Sequence, residues 1–359
     1  QFNSSSRFRS ICLSFTGTLP GLTSEITDQF ETALKQFVDS RDLPLYKMMS
    51  YHLGWVDQNG EPEASAPQDR THGQLVLNVA SAFGGSLEDA MPYAVAVELL
   101  HNFLLVHEDV QNANTERDQR PTIWWSWGPA QAINAGDGIH AMARVSVFEQ
   151  LKRGDASPDP ASISEALEAL DNATLEICEG DYLDITYQER AAVSVNEIVA
   201  VARNHGSLFG VAAKLGGIAA GASAKQIEAL NSFGSALGTA KNLNIDLKAL
   251  WPSDGTERTE VQRGRLQSKK KSIAIAHAIE NGSPTTRRRL GEIFMKRVLD
   301  PTDVDEVTGI LAETESRRFS EAKIAELMNE AETALNQVGL SNSDNESLLS
   351  AAKIIVESE

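Results

Sequence analysis

The stretch of sequence that decides the fold runs from Glu98 to Thr122 and reads ELLHNFLLVHEDVQNANTERDQRPT. Its first half is almost wholly apolar, which predicts a helix that faces the interior of a bundle. Its second half is polar and ends in Arg-Pro-Thr, which predicts that the helix stops near Asn112 and passes into a turn. Acidic residues therefore stand where an apolar helix ends.

The end of this helix carries the elements of a metal and phosphate site. Glu108 and Asn112 are four residues apart and so share one helix face, with Asp109 beside them. Oxygen donors at the mouth of an apolar bundle suit Mg²⁺, which completes its shell with water and phosphate oxygens. Arg117 and Arg120 follow and would bind those phosphates. The alternative is a solvated helix end whose acids and bases pair locally.

Composition excludes several classes of protein. The 359 residues include 32 Lys and Arg against 50 Asp and Glu, a formal net charge of −18. Such a surface repels nucleic-acid backbones and anionic membranes. Two cysteines, Cys12 and Cys178, support neither a zinc module nor a disulfide framework. No apolar run has the length of a membrane span. We therefore expect a cytoplasmic protein with no nucleic-acid partner.

Helical periodicity runs through the chain, and alternating strand patterns are missing. Ser86 is placed to cap the helix that contains Glu98. We predict an all-α bundle of about ten or more helices. Residues 1–20 are predicted to form a disordered N-terminal segment, and residues 21–359 a single helical domain.

The order Glu98-Leu-Leu-His-Asn-Phe, His107-Glu-Asp-Val-Gln-Asn, Arg117 and Arg120-Pro-Thr resembles trans-isoprenyl diphosphate synthases. The resemblance continues through Glu179–Asp184, Phe233–Gly238 and Lys270–Ser272. It implies an isoprenoid-synthase-type bundle around a central apolar cavity, and a homodimer. It also implies Mg²⁺-dependent condensation of isopentenyl diphosphate (IPP) with an allylic prenyl diphosphate.

The sequence departs from that family in both metal motifs. The family's first DDxxD appears here as Glu108-Asp109-Val-Gln-Asn112. At the second, only Asp246 remains, but Asn242 lies four residues before it and so lies near it on the helix. We predict Glu108, Asp109, Asn112 and Asp246 as metal ligands, and Asp109, Asn242 and Asp246 as catalytic residues. The resemblance further implies that Asp184 lies near the metals.

The pocket for IPP departs further. Where the family has Gly-Lys-x-x-Arg-Pro, this chain has Gln68–Gly73, in which Asp69 replaces the lysine and His72 the second arginine. Asp118 replaces one arginine of an adjacent pair, and the family's Phe-Gln appears as Lys241-Asn242. Because a Lys or Arg to Asp exchange changes the local charge by two, we expect a second diphosphate to be repelled.

One diphosphate can still be held, and for it we predict the basic residues Arg117, Arg120, Lys248, Lys270 and Lys271. Candidates for the apolar wall are Phe103, Leu104, Trp124 and Phe209. These expectations favour a class I terpene cyclase that converts farnesyl diphosphate to a sesquiterpene hydrocarbon and releases diphosphate, a lyase reaction. Two alternatives stay open. One is a prenyltransferase, acting on IPP or on a neutral acceptor, and the other is an inactive regulatory subunit of a prenyl diphosphate synthase.

Overall fold

The structure is a computed structural model that describes residues 17–63, 68–152, 159–252, 269–296 and 299–358. Most of the predicted N-terminal segment, residues 1–16, lies outside these ranges. The described residues form fourteen α-helices: α1 Ser24–Asp39, α2 Pro44–His52, α3 Thr71–Ala82, α4 Leu87–Gln111, α5 Ile123–Trp127, α6 Pro129–Phe148, α7 Pro160–Gln188, α8 Val195–Ala219, α9 Ala224–Leu250, α10 Ile273–Asn281, α11 Pro284–Phe294, α12 Pro301–Glu313, α13 Ser316–Asn336 and α14 Asn342–Glu357. The predicted all-α class is confirmed.

Helix α4 packs against α3, α6 and α8. It begins as predicted, since the side chain of Ser86 accepts a hydrogen bond from the backbone N–H of Asp89. Within the described ranges, α4 is the one helix long and apolar enough to cross a membrane, and 67% of its most apolar window is buried in the fold. Its apolar surface is therefore used as protein core.

Helices α8 and α9 pack closely because glycines face one another. A Cβ added at Gly238 would lie 2.3 Å from the carbonyl oxygen of Gly206, and one at Gly234 would lie 2.2 Å from that of Phe209. Contacts this short leave no room for a side chain. The small residues of these helices thus set the distance between two walls of the cavity described below.

A two-residue antiparallel pair follows α4 and reverses the chain. Strand β1, Glu116–Arg117, pairs with strand β2, Arg120–Pro121. The two turn residues, Asp118 and Gln119, both have positive φ, at 50° and 62°, as in the tight turns of twisted hairpins. This turn leaves Arg117 within reach of the end of α4.

Both chain ends that the structure describes pack on the bundle. Leu19 is fully buried and its backbone N–H donates to Oε1 of Gln74 at 2.8 Å, so residues 17–20 lie against α3. Helix α14 packs against α3 and α9. Helices α10, α11 and α12 form a smaller core of their own, which includes Leu290 and Leu311.

Candidate active site

A cavity of about 190 Å³ lies between α3, α4, α7, α8 and α9. Six of the residues predicted from sequence line it: Leu104, Glu108, Asn112, Phe209, Asn242 and Lys270. Eight predicted residues are not among its lining residues: Phe103, Asp109, Arg117, Arg120, Trp124, Asp246, Lys248 and Lys271. A larger open groove of about 890 Å³ lies on α7, α8 and α9. None of the predicted residues line it, so we place the candidate site in the smaller cavity.

Arg117 binds both acids at the end of α4. Its Nε lies 3.0 Å from Oδ1 and 3.1 Å from Oδ2 of Asp109, and its Nη2 lies 2.6 Å from Oδ1 of Asp109 and 3.0 Å from Oε2 of Glu108. Asn114 donates a further hydrogen bond to Asp109 at 3.1 Å. Burial raises the pKa of Asp109, and Arg117 offsets part of that rise. Asp109 is thus held beneath the cavity wall, whereas Glu108 reaches the cavity.

Helix α7 brings two more carboxylates to the same cavity. Asp181 and Asp184 are three residues apart and both line it. His205 Nε2 lies 3.0 Å from Oδ1 of Asp181. Lys270 Nζ lies 2.7 Å from Oδ2 of Asp184, and both side chains are more than four-fifths buried. The segment Glu179–Asp184 therefore places two acid groups in the cavity wall, in addition to Glu108.

Of the pair predicted on α9, only Asn242 is among the residues that line the cavity. Asn242 lines the cavity and its Nδ2 donates to the carbonyl of Gly238 at 3.0 Å, whereas Asp246 is not among the lining residues. Lys248 instead donates to the carbonyl of Glu357 at the end of α14. Lys241, which we did not select from sequence, does line the cavity.

Two predicted diphosphate ligands are engaged in packing. Arg120 donates to the carbonyls of Tyr51 at 2.8 Å and Val56 at 2.6 Å, and pairs with Glu63 at 2.9 Å. Lys271 is 2% exposed and its Nζ lies 4.1 Å from the ring centroid of Phe294. Burial lowers the pKa of Lys271 to about 8. Both cations hold elements of the fold together outside the cavity.

The predicted apolar wall divides in the same way. Leu104 and Phe209 line the cavity. Phe103 packs against the rings of His107 and His140, with centroids 4.7 and 5.0 Å away. Trp124 donates from Nε1 to the carbonyl of Asn114 at 2.6 Å and so fastens α5 to the turn after α4. Residues 103 and 104 therefore point to different sides of α4.

A stack of two histidines and a phenylalanine forms one wall of the cavity. The ring centroid of His72 lies 3.9 Å from that of His101 and 4.0 Å from that of Phe209. Burial lowers the pKa of His101 to about 3 and that of His72 well below its usual range. Both rings are therefore neutral near pH 7. In the sequence, the only sign of this stack was the histidine at position 72 in place of the family's arginine. The three rings come from three different helices, α3, α4 and α8, so the stack itself could not be predicted.

The donor set fits Mg²⁺. Glu108 and Asn112 from α4, with Asp181 and Asp184 from α7, give the cavity the hard oxygen donors that this ion prefers. Among the described residues, no three His, Cys, Asp or Glu side chains come close enough to hold a metal by themselves. Such a sparse protein set suits an ion that keeps water and takes phosphate oxygens as further ligands.

The chain matches the family model for polyprenyl synthetase over residues 55–311. It belongs to the polyprenyl synthetase family. It is 29% identical over 346 residues to the (2E,6E)-farnesyl diphosphate synthase of Mycobacterium tuberculosis, which covers 95% of this chain and 93% of that protein. It is 30% identical over 279 residues to the geranylgeranyl diphosphate synthase of the same organism, covering 77% of each.

Solved structures of this polyprenyl synthetase family share the fold. The polyprenyl synthetase of Streptomyces coelicolor A3(2) superposes with a TM-score of 0.80 at 26% identity, over 92% of this chain and 99% of that one. The geranylgeranyl pyrophosphate synthetase of Pyrococcus horikoshii Ot3 gives 0.79 at 27% identity, over 93% and 97%. The predicted isoprenoid-synthase fold is thereby confirmed.

The prediction of a sesquiterpene cyclase, and with it the lyase class, is wrong. The relatives are named as farnesyl and geranylgeranyl diphosphate synthases, which are prenyltransferases. The prediction depended on the reversed charges of Asp69 and Asp118, but neither residue lines the cavity. Asp69 accepts a hydrogen bond from the backbone N–H of Thr71 at 2.7 Å, at the start of α3. The set of basic residues predicted from sequence also omitted Lys241, which does line the cavity.

Proposed function

We propose that this chain is a prenyltransferase of the isoprenyl diphosphate synthase type, which joins an allylic prenyl diphosphate to IPP with Mg²⁺. One observation carries the proposal. Oxygen donors at the end of α4 and on α7, the ammonium group of Lys270 and the apolar side chains of Leu104 and Phe209 all line one cavity. A diphosphate head and a prenyl tail need these two kinds of surface side by side.

In this reaction the allylic C–O bond breaks and the diphosphate leaves with the bonding electrons. The double bond of the acceptor then forms the new C–C bond, and loss of a proton restores a double bond. Lys270 would stabilise the departing charge, and Leu104 and Phe209 would hold the chain away from water. Glu108 and Asn112 on one side of the cavity, and Asp181 and Asp184 on the other, would each supply part of the ligand set of Mg²⁺, with water and diphosphate oxygens as the remaining ligands. When bound, the ion supplies positive charge to the leaving group.

The surface of α6 and α7 supports a homodimer. Phe148, Leu175 and Tyr182 are large apolar or aromatic residues that are 45%, 61% and 69% exposed. Leu175 and Tyr182 are seven residues apart and so lie on one face of α7, and exposed apolar residues that share a face are typical of association surfaces. Light scattering on the purified protein would test this, with a monomeric mass as the contrary result. We further propose the cytoplasm as the site of action, which cell fractionation would test.

The activity is tested by incubating the purified chain with labelled IPP and C5, C10 or C15 allylic diphosphates. We expect a longer prenyl diphosphate that forms only when both substrates and Mg²⁺ are present, and that is abolished by EDTA. The products are identified by chromatography after phosphatase treatment. Absence of a longer diphosphate with every allylic substrate would contradict the proposal, as would transfer of the prenyl group only to a neutral acceptor.

A further inference from the structure

Two adjacent lysines just before α10 have partners in different parts of the fold. Lys270 lines the cavity, and its Nζ lies 2.7 Å from Oδ2 of Asp184 on α7. The Nζ of Lys271 instead lies 4.1 Å from the ring centroid of Phe294, a residue of the smaller core of α10, α11 and α12. One short segment therefore connects the cavity with that core.

The backbone on both sides of Lys270 is held by hydrogen bonds. Lys269 has a φ of 63°, in the left-handed region that a residue with a Cβ adopts at an energetic cost. The Nζ of Lys271 donates back to the carbonyl of Lys269 at 3.3 Å and so closes this turn. Ser272 begins α10, because its side chain accepts a hydrogen bond from the backbone N–H of Ile275 at 3.3 Å. Lys270 lies between these two contacts.

The burial of Lys271 carries a cost in solvation of its charge. The residue is 2% exposed, and burial lowers its pKa to about 8, so that the ammonium group is still mostly protonated at pH 7. An apolar side chain would fill the same space without that cost. What the ammonium group adds is its contact with the ring of Phe294 and its hydrogen bond to Lys269. These two contacts stabilise the turn that carries Lys270.

We propose that Lys271 is a positioning residue for Lys270, and that it holds the Lys270 ammonium group beside Asp184, in place for the departing diphosphate. The inference rests on the proposed function, in which Lys270 stabilises that charge. A lysine side chain has many rotamers, so a backbone fixed on both sides of Lys270 reduces the number of positions that its ammonium group can take. A cation that is in place before the charge develops needs no reorganisation during the reaction.

Lys271→Met tests the inference, because methionine fills similar space but cannot donate to Lys269 or place a cation on Phe294. In the condensation assay we expect kcat to fall about 10- to 100-fold, because the Lys270 ammonium group is no longer held in place, while KM for IPP stays nearly unchanged. The melting temperature should stay the same or rise, since an apolar side chain replaces a buried charge. Lys271→Arg keeps a cation that can stack on the ring, and it should retain more of the activity than Lys271→Met.

Leu290→Ala is the matched control for the integrity of the smaller core. Leu290 is fully buried in that core, four residues before Phe294 on α11. Leu290→Ala should lower the melting temperature and leave kcat nearly unchanged at temperatures where the protein is folded. A fall in kcat as large as that of Lys271→Met would assign the effect to the core as a whole and overturn the inference. A wild-type kcat in Lys271→Met would overturn it as well.

A double variant tests whether Lys271 acts through Lys270. Lys270→Met alone should lower kcat about 100- to 1,000-fold, since it removes a charge that stabilises the leaving group. Adding Lys271→Met to it should lower kcat no further, because a positioning residue has no effect once the group that it positions is gone. A further fall in the double variant would show that Lys271 acts by another route and would overturn the inference.

Calorimetry with inorganic diphosphate and Mg²⁺ separates this inference from the proposed function. We expect Lys271→Met to weaken diphosphate binding to the full chain about tenfold. If that weakening is seen but the wild-type chain makes no longer product, the proposed function fails and the positioning of Lys270 stands. If the wild-type chain condenses its substrates and Lys271→Met does so with the same kcat, the inference fails and the proposed function stands. A wild-type chain that neither binds diphosphate nor forms product would overturn both.

Discussion

Arg117 binds Asp109 in a side-on clamp, with Nε at 3.0 Å and Nη2 at 2.6 Å from the same carboxylate oxygen. The Asp109 side chain is 4% exposed, so little water solvates its charge. The second acid of the metal motif thus has a protein cation as its permanent partner. Arg117 also donates to Glu108 at 3.0 Å, so the clamp joins both acids of the motif.

The first prediction concerns this clamp. Arg117→Met should lower the free energy of unfolding by about 3 kcal/mol, because it leaves a buried carboxylate without its partner. Urea unfolding measures the change. Adding Asp109→Asn to the variant should recover part of the loss, since it removes the unpaired charge.

The control for the clamp is the exposed pair of Lys35 and Asp39, which are 3.0 Å apart and more than two-fifths exposed. Lys35→Met should change stability by less than about 1 kcal/mol. If Arg117→Met lowers the free energy of unfolding no more than Lys35→Met does, the clamp does not hold Asp109 in solution.

A second prediction follows from Glu98, which is fully buried in α4. Burial raises the pKa of Glu98 to about 7, from its ordinary value of 4.5. The folded state therefore binds more protons than the unfolded state between about pH 4.5 and 7, and this group destabilises the protein as pH rises through that window. Glu98→Gln should remove this pH dependence. The stability that the wild-type protein loses across the window is on the order of 3 kcal/mol.

Denaturant unfolding at pH 5, 6 and 7 measures the slope in both proteins. The backbone N–H of Gly73 and the side chain of Asn102 each donate to Glu98 at 3.0 Å, and glutamine can keep one of these bonds. A variant whose stability follows the wild-type pH dependence in parallel would show that Glu98 is not the group responsible.

The third prediction tests the close packing of α8 on α9. Gly238→Ala should destabilise the protein by about 3 kcal/mol, because the new methyl group would collide with the backbone of Gly206. Gly291, inside α11, has nothing within 4 Å of an added Cβ. Gly291→Ala should therefore stabilise by about 0.5–1 kcal/mol. Thermal unfolding of both variants measures these changes in stability. A similar change at the two positions would refute the packing argument.

The fourth prediction concerns metal binding. Asn112 caps the C-terminus of α4 and lines the cavity with Glu108, four residues before it, and Asn112→Asp would restore an acid there. We expect the Mg²⁺ concentration for half-maximal activity to fall about tenfold, because a carboxylate binds Mg²⁺ more strongly than an amide. Asn112→Leu should raise it. An unchanged Mg²⁺ dependence in both variants would remove residue 112 from the metal site.

Sequence reasoning was sufficient where the determinants were local. The cap at Ser86 and the shared face of Glu108 and Asn112 follow from the spacing along one helix, and the structure has both. It was insufficient for Arg120, whose partners Tyr51 and Val56 lie more than sixty residues away in the chain. No local pattern reveals a partner at that separation.

The error about the reaction has a related cause. Asp69 and Asp118 were counted as charges facing a substrate, but the direction of a loop side chain is not encoded in its spacing. Asp69 turns to the backbone of Thr71. Lys241 was noted as a departure from the family's Phe-Gln pair but was not counted among the cations, and its place in the cavity depends on the packing of α9 against α8 and α14.

The measurement that tests the central claim most directly follows carbon-13-labelled IPP through a single incubation with an allylic diphosphate and Mg²⁺. We predict that the label appears in a longer prenyl diphosphate, with one diphosphate released for each new product. The allylic substrate should persist when IPP is omitted. Consumption of the allylic diphosphate at the same rate without IPP, or a product without label, would contradict the assignment as an isoprenyl diphosphate synthase.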